Sequence, residues 1–113
     1  MFDLSGKAGL VTGASGGIGG AIARALHKQG ATVTLSGTRA DVLEQLKASL
    51  GERAHVVAAK IDDAADIDRL AKEAEAAMGK IDILVNNAGI TRDNISMRMK
   101  DCLLYTSPSP RDS

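Results

Sequence analysis

Glycines punctuate this chain, separating short apolar runs from longer amphipathic ones, and that alternation restricts what it can fold into. Ala8-Gly9-Leu10-Val11-Thr12 ends at Gly13, and the next segment places Ile18, Ile22, Ala25 and Leu26 at i, i+4, i+7 and i+8. A strand followed by a helix is expected. Gly30 falls where a helix end takes positive φ, and Thr32-Val33-Thr34-Leu35 is β-branched and aliphatic enough for a second strand. Leu43, Leu46 and Leu50 share one face of a second helix closed by Gly51, and His55-Val56-Val57-Ala58-Ala59 reads as a third strand. Asp63 is placed to cap a third helix whose apolar face runs Ile67, Leu70, Ala71, Ala74, Met78, with Gly79 just beyond it. Ile81 to Val85 supplies a fourth strand.

The predicted order is β-α-β-α-β-α-β. Right-handed crossovers then require an α/β fold, a doubly wound parallel sheet of strand order 3-2-1-4, truncated after the fourth strand. Ligands are expected at the carboxyl ends of strands one and four, where the winding direction reverses.

Composition excludes several functions. With 14 Lys+Arg against 14 Asp+Glu, no face can be strongly basic without an equally acidic one elsewhere, so nucleic acid is not an expected partner. At 2% aromatic residues, the platforms on which single-stranded bases stack are also missing. Asp3 and Lys7 interrupt the N-terminal region and no apolar run approaches about 18 residues, so neither a signal peptide nor a membrane role is expected. One cysteine, with His27 and His55 far apart in sequence, makes neither an internal disulfide nor a metal site and suits a cytoplasmic protein.

Three short stretches carry the chemistry. Thr12-Gly13-Ala14-Ser15-Gly16-Gly17-Ile18-Gly19 joins the first strand to the first helix, where glycines permit positive φ, close approach of a ligand and tight packing of helix on strand. The helix N-terminus behind such a turn favours a pyrophosphate; the plain alternative is a tight turn without a ligand. The second strand ends Ser36-Gly37-Thr38-Arg39 with no carboxylate before Asp41. An acidic residue there would take the ribose 2′-hydroxyl of NAD, whereas Thr38 and Arg39 suit the 2′-phosphate of NADP; the alternative is that Arg39 is simply solvated. The fourth strand runs into Asn86-Asn87-Ala88-Gly89, whose small pair leaves room for a flat ligand.

The glycine spacing together with Asn86-Asn87-Ala88-Gly89 resembles the short-chain dehydrogenase/reductase family. Asn87-Ala88-Gly89-Ile90-Thr91-Arg92-Asp93-Asn94 and Met97-Arg98-Met99-Lys100-Asp101 resemble in particular its bacterial 3-oxoacyl-(acyl-carrier-protein) reductases, and the resemblance covers residues 1–101. It implies a Rossmann-type NADP-binding domain and NADPH-dependent reduction of an acyl-carrier-protein thioester in fatty acid biosynthesis, by a cytoplasmic homotetramer. Acetoacetyl-CoA reductase, another short-chain dehydrogenase, or a non-catalytic nucleotide-binding fragment are the alternatives. By position, Gly13, Ala14, Ser15, Gly16, Gly17, Ile18 and Gly19 would hold the cofactor phosphates and ribose. Thr38 and Arg39 would hold the adenosine end, Lys60 and Ile61 the adenine, and Asn87, Ala88 and Gly89 the nicotinamide side. The sequence departs from the family where Gly16 replaces a common Arg and Lys60 a common Asn or Asp.

No catalytic residue is assigned. The family's proton donor is a Tyr with a Lys four residues on, and Tyr105 is followed at that spacing by Ser109. The segment 102–113, Cys102-Leu103-Leu104-Tyr105-Thr106-Ser107-Pro108-Ser109-Pro110-Arg111-Asp112-Ser113, leaves the family pattern abruptly and resembles the translation of a transposon-type sequencing adapter. It is read as a non-native tail, the alternative being a natural Ser/Pro-rich one.

Overall fold

The computed structural model describes residues 3–59, 63–86 and, as backbone, the strand 103–106. Strands β1 (Ala8–Val11), β2 (Thr32–Leu35), β3 (Ala54–Val56) and β4 (Ile83–Asn86) alternate with helices α1 (Gly17–Lys28), α2 (Ala40–Leu50) and α3 (Ala64–Met78). The sheet is parallel in the order β3-β2-β1-β4, as expected, so β1 is paired on both sides. Each crossover helix must then lie on a face of the sheet.

Alternation along the strands decides which helix meets which face. Leu10 and Leu84, opposite each other in register, pack under α3 with Ile67, Leu70 and Ala74. Val11, Val33, Leu35 and Val85 point the other way and pack with Ala23 of α1 and Leu43 and Leu46 of α2. The sheet is therefore covered on both faces, and β1 is buried along its whole length.

Helix ends follow the sequence signals. Asp63 caps α3, its side chain accepting from the Ala65 amide at 2.9 Å, while Gly30, Gly51 and Gly79 take φ of +104°, +81° and +83°. At the end of α1 the last turn carries His27 and Lys28, which complement the dipole. His27 Nε2 lies 2.6 Å from the Glu52 carbonyl, and Arg53, held at φ +66°, donates from its guanidinium to the Ala31 carbonyl at 2.7 Å. At the amino edge, Asp82 accepts from the Ala8 amide at 2.9 Å and lies 3.2 Å from Lys80 Nζ; these contacts hold its carboxyl below the usual range.

Two expectations change. The apolar stripe of α1 was predicted through Ile18 and Ala25, but Ile18 is 57% exposed and Ala25 is exposed too. Gly19, Ile22, Ala23 and Leu26 form the inward face instead, and at about 100° per residue Ile18 and Ala25 fall to one side of it. The sheet also continues past β4: β5 (Leu103–Thr106) pairs parallel with it, Ile83 opposite Leu103 through Asn86 opposite Thr106. A strand edge presents unpaired N–H and C=O groups, and Leu-Leu-Tyr-Thr has the β-forming composition to complete them.

On the α3 face, Thr34 sits beside Leu10 with its hydroxyl buried and without a hydrogen-bond partner among the described residues. An orphaned buried hydroxyl costs about 1–3 kcal/mol, and valine fills nearly the same volume. Thr34→Val is therefore expected to raise stability by about 1 kcal/mol, seen as a higher urea midpoint with an unchanged slope; a lower midpoint would show that the hydroxyl is satisfied.

Candidate functional site

Three backbone contacts bring the carboxyl ends of β1, β2 and β4 together. The Thr12 amide donates to the Val85 carbonyl at 3.0 Å, the Ser36 amide to Val11 at 2.9 Å, and the Ala14 amide back to the Ser36 carbonyl at 2.8 Å. The fully buried Thr12 hydroxyl also donates to Val85 at 3.1 Å and lies 3.5 Å from Asn86 Oδ1. Asn86 thus ties β4 to the start of the glycine turn.

That turn has the geometry its glycines predict. Gly13 leaves β1 at φ +66°, a left-handed conformation that a side chain disfavours, and its carbonyl accepts the Gly16 amide at 3.1 Å. Ala14 is buried, Ser15 half-buried, and Gly16, Gly17 and Ile18 are exposed; Gly19 is buried where α1 meets the sheet. Gly16 is the N-cap of α1 and no side chain caps the helix, whose first turn holds no acidic residue. The other two helices differ, with Asp41 in the first turn of α2 and Asp63 and Asp66 at the start of α3. Neither the cap nor the first turn of α1 thus offsets the positive end of its dipole.

Gly37 brings the end of β2 against this turn. A Cβ at Gly37 would lie 2.7 Å from Ser15 Oγ, 3.3 Å from its Cβ and 3.4 Å from its amide nitrogen. The sequence showed no reason for this glycine, because the constraint comes from another element. Thr38 and Arg39 follow, both exposed, and Arg39 opens α2 with its guanidinium 3.7 Å from the Asp41 carboxylate. So long and solvated a pair holds little energy, and the guanidinium can reorient.

Two clefts flank the turn. One of about 370 Å³ runs outside it between α1 and α2, past Ser15, Gly16, Gly17, Arg24 and Gln45. The other, about 290 Å³, lies between the ends of β2 and β3 and the start of α3, lined by Gly37, Thr38, Ala58, Ala59 and Asp66. Asp66 lies in the first turn of α3, and the packing of that helix on β2 and on Val57 and Ala59 beyond β3 is what brings it to a cleft. The predicted residues Lys60, Ile61, Asn87, Ala88 and Gly89 lie outside the described residues. Among the described residues no cluster of His, Cys, Asp or Glu is arranged to hold a metal, and no helix is long and apolar enough to cross a membrane.

A family model described as short chain dehydrogenase matches residues 7–103. The chain belongs to that family. It is 54% identical over 101 residues to a nodulation protein G from a Rhizobium species, covering 89% of this chain and 41% of that protein. Against the 3-oxoacyl-(acyl-carrier-protein) reductase of Rickettsia conorii it is 46% identical over 101 residues, covering 89% and 40%. Among solved structures it is similar to a 3-ketoacyl-(acyl-carrier-protein) reductase from Brucella melitensis complexed with NADH, with a TM-score of 0.70 and 32% identity over 85% of this chain and 43% of that one. The chain thus spans about two fifths of the length of the curated relatives it matches.

The contact of Ser15 with Gly37 generates a test. Gly37→Ala is expected to cost about 1–3 kcal/mol by crowding the turn. Adding Ser15→Ala removes the nearest atom and should recover part of the loss. A double-mutant cycle on thermal melting measures it; strictly additive effects would contradict the contact.

Proposed function

We propose that these residues form the NADP-binding part of an oxidoreductase that reduces 3-oxoacyl-(acyl-carrier-protein) thioesters in fatty acid biosynthesis. The observation that supports it most is the N-terminus of α1, uncapped by any side chain and set behind a turn in which Gly13 takes positive φ and Gly37 makes room for Ser15. Such a terminus suits a pyrophosphate without needing a cationic side chain. The exposed amides of Gly17 and Ile18 would hold the phosphates, with Gly13, Ala14, Ser15, Gly16 and Gly19 shaping the loop around them.

At the end of β2, the Thr38 hydroxyl would donate to the 2′-phosphate and the Arg39 guanidinium would pair with it, exchanging its long contact with Asp41 for a closer anion. Asn87, Ala88 and Gly89, which follow β4 in the sequence, would serve the nicotinamide half. When bound, the cofactor supplies the hydride for a ketone carbonyl. The Tyr and Lys that the resemblance assigns to proton transfer have no counterpart at their spacing in these 113 residues, so what they contribute is binding and orientation.

The acyl-carrier substrate rests on the likeness to reductases of that name and on the Asn87–Asp101 sequence, and the whole enzyme is read as a cytoplasmic homotetramer on the same basis. The neighbour solved with NADH makes the cofactor preference the part to test. Calorimetric titration of the chain should give at least about tenfold tighter binding of NADP than NAD, the size of one charge-assisted contact, and Arg39→Ala should bring the two within about threefold. Equal affinities in the unaltered chain would remove the role given to Thr38 and Arg39.

A further inference from the structure

β3 is the outermost strand on its side of the sheet, and its pairing with β2 runs on past Val56. The Val57 amide donates to the Leu35 carbonyl at 3.0 Å and the Ala59 amide to the Gly37 carbonyl at 3.1 Å. Backbone groups alternate in direction along a paired strand, so the Ala58 carbonyl between them faces away from β2. Arg69 of α3 meets it there. Its Nη2 donates to Ala58 at 2.7 Å, Nη1 donates to Glu73 at 2.6 Å, and Nε lies 3.5 Å from Asp66 Oδ1. The planar fork is held on its own helix from i−3 and i+4 and extends its remaining arm to the strand end. Val57 and Ala59 pack in the core with Ile67 and Leu70, so α3 grips this segment both by its side chains and by its outer backbone edge.

We propose that Arg69 is a positioning residue for dinucleotide binding: by holding the Ala58 carbonyl it fixes the 58–59 strand end against Gly37 and preorganises that wall of the adjoining cleft. The binding role rests on the dinucleotide reading above; the hold on the strand end does not. Without the guanidinium, the outer edge of this segment loses its contact with α3 and the ladder bond from Ala59 to Gly37 opens more readily, as strand ends with few partners do. A wall ordered before the ligand arrives removes an ordering cost from binding. Lysine is a poor replacement, because one ammonium on a flexible stem cannot bridge two carboxylates and a carbonyl as the fork does.

Two variants separate the hold from the charge. Arg69→Met keeps the apolar stem and removes every donor, and Arg69→Lys keeps the charge without the fork. Amide hydrogen exchange of the chain alone comes first: in Arg69→Met the Ala59 amide should lose about tenfold of its protection relative to the Ser36 amide, which donates to Val11 inside the sheet. Calorimetric titration should then show NADP and NAD each weakened by about fivefold, the size of one hydrogen bond, with their ratio unchanged, and Arg69→Lys should recover at most part of either loss. Unchanged protection at Ala59, or equal losses at Ala59 and Ser36, overturns the proposal. So does a loss of affinity confined to NADP and fully recovered by lysine, which is the pattern of a charge acting through space. Binding of neither dinucleotide to the unaltered chain overturns the dinucleotide reading and the binding role with it, while the exchange result still decides the hold on the strand end.

Discussion

Because β1 is hydrogen-bonded on both sides and buried on both faces, its direction and register set the position of everything at the carboxyl edge of the sheet. Val11 lies opposite Leu35 and Val85, so β1 and β2 end level with each other while β4 runs one residue further, and Thr12, Ser36 and Asn86 come together. A one-residue slip would exchange Leu10 and Val11 between the α3 face and the α1/α2 face, exposing each to the wrong packing partners. Register is thus enforced by the core, and the turn geometry is inherited from it.

Most of this architecture is legible because it rests on local rules. A strand, a glycine of positive φ, an amphipathic helix and a capping Asp63 each act within a few residues, and sequence spacing carries them. Features created between elements are not legible in that way. Gly37 matters only because Ser15 lies against it, and Asp66 reaches the cleft only because α3 packs on β2 and β3. Ile18 illustrates the converse: its spacing fits an apolar stripe of α1, yet the helix turns the Gly19–Ala23 side to the sheet and leaves Ile18 exposed. The fifth strand is a pairing that a change in composition gave no reason to expect.

The carboxyl edge of the sheet presents two contrasting environments. The N-terminus of α1 has no acidic residue in its first turn, whereas the adjoining cleft has a carboxylate 3.5 Å from Arg69 and walls of glycine and alanine. Those are opposite environments only a few residues from Thr38. A ligand carrying negative charge at one end and a neutral ring with a donor at the other suits both, which is the chemistry of a nicotinamide adenine dinucleotide.

A dinucleotide is proposed to bind along the carboxyl edge of this sheet. Amide chemical shifts of the isotopically labelled chain, followed through a titration with NADP, test it most directly. The largest changes should fall at residues 13–19, 36–39, 58–59 and 66, with Lys7 and Asp82 at the opposite edge unmoved. Changes centred on Lys7 and Asp82, or spread evenly over the chain, would contradict it.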